Sequence, residues 1–247
     1  MSTPTALLLD AGNTRLKWGL VQSGRWLARG AVDTGDGAGF VQALASLPVM
    51  PSVAVGCNVA GAEVGARVSA AVAARGLELC WNLSQPSQAG VTNGYDEPSR
   101  LGADRWAALI GAWARVGSAC VVVNAGTAIT VDSLSRDGCF MGGIILPGIE
   151  TMLHSLEART AGLQRMSGRH RDFPTTTADA MTTGVIDAAV GAVQRVRERL
   201  ACRVAGEVKT LLSGGGAEAL RPHLGDACEC VDQLVLEGLR VVAEAQE

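Results

Sequence analysis

A short pattern that occurs twice constrains this chain more than any other feature. The apolar run 6–9 leads into Asp-Ala-Gly-Asn-Thr, and the apolar run 120–123 leads into Asn-Ala-Gly-Thr-Ala. In each copy two further strand-like segments follow, separated by a turn. Asp10 therefore corresponds to Asn124, 114 residues later. Because the motif and the predicted strands repeat together, the sequence predicts two lobes of like topology.

Hydrophobic periodicity predicts an α/β chain. We expect strands at 6–9, 16–21, 26–32, 52–57, 77–81, 120–123, 129–134, 139–146 and 208–212, and helices at 40–47, 62–75, 105–116, 177–199 and 237–247. The second copy of the repeat begins shortly after the helix at 105–116. The sequence therefore predicts one domain over 1–116 and another over 117–247.

Composition limits the classes of protein to consider. Hydrophobic residues make up 48% of the 247 and charged residues 18%, which is enough for a substantial core. The net charge of −3 argues against a nucleic-acid partner. No signal peptide and no run of eighteen apolar residues is evident, so we expect a cytoplasmic protein with no membrane partner.

Seven scattered cysteines without a CxxC pair favour core residues in a reducing compartment over a disulfide framework. A metal site at Cys228 and Cys230 is the weaker alternative. The histidines at 154, 170 and 223 lie far apart in the sequence and match no metal or triad pattern, so we expect structural or exposed roles for them.

The first glycine turn carries the residue types that bind phosphate. Gly12 lets backbone N–H groups approach an anion, and Asn13 and Thr14 add side-chain donors. Asp10, at the end of a predicted strand, could hold magnesium, and Lys17 follows on the next strand. An ordinary hairpin is the alternative. The second copy of the turn favours phosphate binding over an ordinary hairpin. Neither copy matches a P-loop or a Rossmann fingerprint.

Two other segments are candidate sites. Residues 213–216, Ser-Gly-Gly-Gly, follow a predicted strand and favour nucleotide contact over a turn that needs positive φ. The polar segment 93–105 ends in Asp104 and Arg105, where a carboxylate could accept the proton of a substrate hydroxyl and a guanidinium could bind an anion. The alternative is that Asp104 caps the helix and Arg105 forms a surface ion pair.

Taken together, these motifs resemble those of type III pantothenate kinases, a family of the acetate and sugar kinase, Hsc70 and actin superfamily. The resemblance rests on segments in the family's order across nearly the whole chain, namely 10–17, 90–95, 101–106, 125–132, 142–148 and 212–216. It implies two ribonuclease-H-like (actin-like ATPase) lobes with mixed sheets, an ATP site in the cleft between them, and a homodimer.

The resemblance also implies an activity, the ATP-dependent phosphorylation of pantothenate to 4'-phosphopantothenate, which is the first step of coenzyme A biosynthesis. Asp104 would be the general base. ATP with Mg²⁺ would be bound by Asp10, Ala11, Gly12, Asn13, Thr14, Arg15, Leu16, Lys17 and Thr127. Pantothenate would be bound by Tyr95, Gly102, Ala103, Asp104, Arg105, Thr160 and Thr177, the last from a run of three threonines.

Position 124 departs from the family pattern. Many members have an Asp there that helps to bind a monovalent cation, K⁺ or NH₄⁺, whereas this chain has Asn124. An amide oxygen can still ligate potassium, although a full negative charge is lost. We therefore expect the enzyme to respond to potassium or ammonium.

Two other functions fit the same superfamily. One is a regulatory protein that keeps the fold without catalysis, since family members have carried the name Bvg accessory factor. Asp10, Lys17, Asp104 and Thr127 are all present, which argues against lost catalysis. The other is a sugar kinase, which the short chain and the Asn-Gly-Tyr segment at 93–95 disfavour.

Overall fold

The protein folds into two compact units. The computed structural model describes residues 4–159, 167–204 and 206–245. One unit lies within 1–117 and 233–247, and the other lies within 118–232. Within the described ranges, no helix is both long enough and apolar enough to span a membrane.

The first unit is built on a five-stranded mixed sheet. Its elements are β1 (Thr5–Ala11), β2 (Arg15–Gln22), β3 (Arg25–Asp33), β4 (Val53–Asn58), β5 (Leu79–Trp81), β6 (Ser87–Gln88), β7 (Val91–Asn93), α1 (Gly37–Ala45), α2 (Ala62–Ala73) and α3 (Ala103–Val116). The strand order is β3-β2-β1-β4-β5. β2 runs antiparallel to both β1 and β3, while β1, β4 and β5 are parallel. β6 and β7 form a short antiparallel hairpin.

The second unit repeats this topology. Its elements are β8 (Cys120–Ala125), β9 (Ala128–Leu134), β10 (Cys139–Pro147), β11 (Lys209–Ser213), β12 (Cys228–Cys230), α4 (Ile149–Arg159), α5 (Thr177–Val204) and α6 (Ala217–Leu220). Its strands lie in the order β10-β9-β8-β11-β12. As in the first unit, the second strand along the chain, β9, runs antiparallel to both of its neighbours, while β8, β11 and β12 are parallel. The predicted α/β repeat is thus present in the fold.

Each sheet packs its apolar strands against helices. β1 is buried along its whole length, which is typical of a central strand covered on both faces. In the first unit, Phe40 of α1 and Val68 of α2 pack against this sheet. In the second, α5 packs through Ile186 and Val193 on β8 and β9. The ends of β1 and β8, which carry the repeated turns, are held in place by these cores.

A final helix, α7 (Leu234–Glu244), belongs to the first unit. It packs on α3 at a glycine pair: a Cβ on Gly111 would lie 2.8 Å from the backbone nitrogen of Gly238, and a Cβ on Gly238 would overlap the carbonyl oxygen of Ala107. The indole of Trp26 donates to Glu237 at 3.0 Å. Nothing in the sequence indicates this return of the chain to the first unit.

Candidate active site

Asp10 stands near the carboxyl end of β1, and its neighbours come from the two adjacent strands. In register it lies opposite Lys17 on β2 and Cys57 on β4. Lys17 Nζ is 3.7 Å from Asp10 Oδ2, and the Cys57 thiol donates to Asp10 Oδ1 at 3.6 Å. Opposite residues on paired strands share one face, so the three side chains converge.

Burial dominates the electrostatics of Asp10. The residue is only 6% exposed, and desolvation raises the pKa of its carboxyl to about 6; Lys17 lowers this pKa and the charge of Asp104 raises it. Burial also raises the pKa of the Cys57 thiol well above its usual value, and the charge of Asp10 adds to this. The thiol therefore stays protonated and acts as a donor. The sequence predicts only a core role for Cys57, and the structure adds this hydrogen bond.

The turn after β1 is closed by backbone contacts. Gly12 N donates to Arg15 O at 3.1 Å, and the Thr34 hydroxyl donates to Gly12 O at 2.6 Å. Asn13 and Thr14 are exposed at its tip, as is Arg15. Ala11 and Leu16, in contrast, have buried side chains, so these two predicted ATP contacts can use only backbone atoms.

Asp104 lies in the first turn of α3. Its Oδ1 accepts from the backbone N–H of Arg105 at 2.8 Å, and a Cβ on Gly102 would lie 2.8 Å from the same oxygen. Burial raises the pKa of the Asp104 carboxyl, and the Arg105 backbone N–H and guanidinium counteract this. A carboxyl group with a raised pKa is a better proton acceptor near neutral pH.

Arg105 is buried, at 5% exposure, so the alternative of a surface ion pair is wrong. Its Nη1 donates to the Tyr95 hydroxyl at 2.9 Å, and its guanidinium carbon lies 5.7 Å from the centre of the Tyr95 ring. The first unit thus brings Tyr95 and Arg105 into contact and places Arg105 directly after Asp104. The sequence motif contains all three residues but does not show their contacts.

The second glycine turn, in the other unit, is held by its own neighbours. Thr127 O accepts from Gly148 N and from the Thr151 hydroxyl, both at 2.9 Å. Gly214 has a φ of +99°, and a Cβ there would overlap the backbone of Ala125. The turn-geometry explanation of the Gly214–Gly216 run therefore accounts for Gly214. Thr127 itself is exposed.

Asn124 occupies the position in the second sheet that Asp10 occupies in the first. It lies opposite Thr130 on β9 and Ser213 on β11. The Thr130 hydroxyl is buried and has no hydrogen-bond partner among the residues that the structure describes. Three oxygen-bearing side chains therefore lie on one face of this sheet, and the hydroxyl of Thr130 is the unsatisfied one.

The remaining predicted contacts are less informative. Thr160 lies outside the described residues. Thr177 is the first residue of α5 and is exposed, while the hydroxyl of Thr176 accepts from Asp179 N at 3.2 Å and so caps the helix. Sequence reasoning did not single out Cys57 and Thr34, which contact Asp10 and Gly12, or Asn93, which accepts a hydrogen bond from the backbone of Tyr95. Only Asn93 could have been found from the sequence, because it belongs to the Asn-Gly-Tyr segment at 93–95.

The fold is similar to solved structures of the actin-like ATPase and sugar kinase class. A Campylobacter jejuni protein assigned to the Baf family of transcriptional activators matches with a TM-score of 0.65 at 19% identity, over 97% of this chain and 98% of that one. A glucokinase from an Antarctic psychrotroph matches with a TM-score of 0.52 at 12% identity, over 98% and 99%. The predicted fold class is confirmed.

Sequence comparison is more specific. A family model for type III pantothenate kinase matches residues 6–199. The type III pantothenate kinase of Aromatoleum aromaticum is 46% identical over 96% of this chain and 97% of its own, and that of Dechloromonas aromatica is 45% identical over 95% and 97%. The chain belongs to the type III pantothenate kinase family, as the sequence motifs predict.

Proposed function

We propose that this chain transfers the γ-phosphoryl group of ATP to the hydroxyl of pantothenate, giving 4'-phosphopantothenate and ADP in the first step of coenzyme A biosynthesis. Family membership supports the substrate pair. The observation that carries the chemistry is the Asp104 carboxylate, which is half-buried, has a pKa raised by burial and adjoins the cationic Arg105.

Asp104 acts as the general base. Its carboxylate accepts the proton of the pantothenate hydroxyl while that oxygen bonds to phosphorus and the bond to the ADP oxygen breaks. Arg105 and Tyr95 bind pantothenate, and their mutual hydrogen bond orients the guanidinium. Gly102 and Ala103 are further proposed contacts of this subsite. A side chain at Gly102 would displace the Asp104 carboxylate. Thr177, and Thr160 outside the described residues, are further proposed contacts.

The phosphates of ATP bind at the turn formed by residues 10–17. Thr127 is proposed separately as an ATP contact. Lys17 supplies a positive charge and the exposed tip of the turn supplies donors. Asp10 is the proposed Mg²⁺ ligand. A carboxylate oxygen is a ligand type that Mg²⁺ prefers. Asp10 is only 6% exposed and Lys17 Nζ lies 3.7 Å away, so its negative charge is incompletely compensated. Mg²⁺ bound there would neutralise phosphate charge.

Asn124 is the proposed monovalent-cation ligand, for either K⁺ or NH₄⁺. The paired, unsatisfied hydroxyl of Thr130 supports this assignment, because neutral oxygen atoms suit a weakly charged ion. We predict that turnover is faster in potassium or ammonium than in sodium buffer, and that Asn124→Asp strengthens the cation dependence by restoring a negative charge. Coupled assays in matched chloride salts would measure both effects. Equal rates in all three salts would contradict the assignment.

We also propose a cytoplasmic homodimer that binds neither nucleic acid nor membrane. The net charge of −3 supports the absence of a nucleic-acid partner. Alternate residues of β10 expose apolar side chains, Met141 at 42% and Ile145 at 64%, which suits an interface between copies. Light scattering coupled to size exclusion would give the mass, and a monomer at micromolar concentration would contradict the proposal.

The decisive experiment is an ATP-consumption assay with pantothenate as acceptor. We predict that Asp104→Asn lowers kcat by at least about a hundredfold, because an amide cannot accept the proton, while ATP affinity stays nearly unchanged. Asp96→Asn is the matched control, since Asp96 is an exposed carboxylate in the same segment. Near wild-type turnover of Asp104→Asn would disprove the assigned base. Absence of turnover by the unmodified chain would disprove the proposed substrate.

A further inference from the structure

Asn93, the last residue of β7, is a buried amide that uses its side chain to hold the segment following it. It is 8% exposed. Its Oδ1 accepts from the backbone N–H of Tyr95 at 3.0 Å, and its Nδ2 donates to the Ser84 hydroxyl at 3.0 Å and to the carbonyl of Pro98 at 3.1 Å. One side chain therefore ties together three points of the chain.

These bonds suit an amide and no other side chain of this size. An asparagine offers an acceptor and two donors on one planar group, which matches one N–H and two oxygen partners here. An aspartate would keep the acceptor for Tyr95 but would face the Pro98 carbonyl with a negative oxygen. An alanine would leave the Tyr95 N–H, the Ser84 hydroxyl and the Pro98 carbonyl without this partner.

The segment that Asn93 holds carries Tyr95, whose hydroxyl accepts from Arg105 Nη1 at 2.9 Å. Arg105 in turn donates its backbone N–H to Asp104 Oδ1. Among the hydrogen bonds that the structure describes, none joins Asn93 to Arg105 or to Asp104. The hydrogen-bonded path from Asn93 to these two residues runs through Tyr95.

We propose that Asn93 is a positioning residue for the pantothenate subsite, fixing Tyr95 and through it the guanidinium of Arg105. This inference rests on the proposed function, since pantothenate is taken as the ligand of Tyr95 and Arg105. Loss of Asn93 should therefore weaken pantothenate binding more than it weakens ATP binding or slows the chemical step.

The chain offers a direct probe, because Tyr95 is its only tyrosine. Protein labelled with [¹⁵N]tyrosine gives one backbone amide signal, which comes from the Tyr95 N–H that donates to Asn93 Oδ1. In Asn93→Ala we expect this proton to shift upfield and to exchange faster with solvent, because its hydrogen bond is gone. Asn93→Asp, which retains Oδ1, should keep the signal close to its wild-type position. This measurement needs no activity.

The kinetic test separates binding from chemistry. We expect Asn93→Ala to raise the pantothenate KM about tenfold, the effect of losing one well-placed interaction, with the ATP KM within about twofold of wild type. Asn82→Ala is the matched control. Asn82 is also a buried asparagine, at 6% exposure, and its Oδ1 accepts from Gln88 at 2.9 Å. It should leave both the Tyr95 signal and the pantothenate KM unchanged.

The outcomes are distinguishable. An unchanged Tyr95 signal or an unchanged pantothenate KM in Asn93→Ala would overturn the positioning role, as would equal rises in both KM values. If the wild-type chain fails to phosphorylate pantothenate, the proposed function falls while the tyrosine signal still tests the hydrogen bond. Should Asn93→Ala not fold, Asn93→Ser carries both measurements, because its hydroxyl is too short to reach all three partners.

Discussion

At the scale of single residues, the site keeps a buried charge that lowers stability. The pKa of Asp10 is raised from 3.8 to about 6, chiefly by burial. A raised folded-state pKa means that the native state binds the proton more tightly than the unfolded state does. Below about pH 4 the carboxyl is neutral in both states and the destabilisation is absent. It grows as pH rises and is complete above about pH 6, where it amounts to about 3 kcal/mol.

We therefore predict that Asp10→Asn stabilises the protein at pH 7.5 and gives little or no gain near pH 4, while abolishing magnesium-dependent turnover. Urea unfolding in EDTA at the two pH values would measure the difference in the free energy of unfolding. The matched control is Asp33→Asn, because the Asp33 side chain is 80% exposed. A gain for Asp10→Asn that is equal at both pH values would contradict this account.

At the scale of elements, the crossing of α3 and α7 depends on two glycines that bring the helix backbones together. A Cβ at Gly238 would overlap Ala107 O. The neighbouring atoms belong to the backbone of α3, so they cannot relax as a flexible side chain could. We predict that Gly238→Ala lowers the free energy of unfolding by about 3 kcal/mol or more through overpacking. Thermal and urea denaturation of the purified variant would measure this.

The control for this prediction lies in α5. A Cβ at Gly191 would meet nothing within 4 Å, and this residue is exposed in the helix interior. Gly191→Ala should therefore stabilise the protein by about 0.5–1 kcal/mol, because alanine restricts the unfolded chain. The packing explanation fails if the two substitutions change stability in the same direction.

At the scale of the whole molecule, the first unit is completed by the end of the chain. α7 packs on α3 and β1, so the first unit contains segments more than 100 residues apart in the sequence. All five tryptophans lie at or before position 113 and thus in this unit. Their fluorescence reports on the first unit alone, while amide exchange reports on both.

Deleting residues 233–247 should consequently unfold the first unit. We predict a red-shifted tryptophan emission and lost amide protection in β1, because the apolar faces of α3 and β1 would be uncovered. Protection in β8 should persist longer, since that strand packs on α5. Truncation after Glu244, which leaves α7 complete, is the control. Unchanged emission and an unchanged unfolding midpoint in the longer deletion would contradict this account.

The sequence by itself determined the α/β class, the repeated succession of strand, glycine turn, strand, turn and strand, and the family. Each of these follows from local signals, namely an apolar run of strand length, a glycine turn beside it and short motifs in order. The same signals nominated Asp10, Lys17, Asp104 and Arg105, because the chemistry of a carboxylate or guanidinium is visible without coordinates.

Tertiary structure alone decided the environment of those residues. Only folding brings the thiol of Cys57 to Asp10, buries Arg105 against Tyr95 and returns α7 to the first unit. Local periodicity also missed the short strands β6, β7 and β12, whose two or three residues carry almost no pattern. Burial, pKa and helix crossing depend on contacts between residues far apart in the chain, and a strand or turn pattern contains no information about which distant surface will cover it.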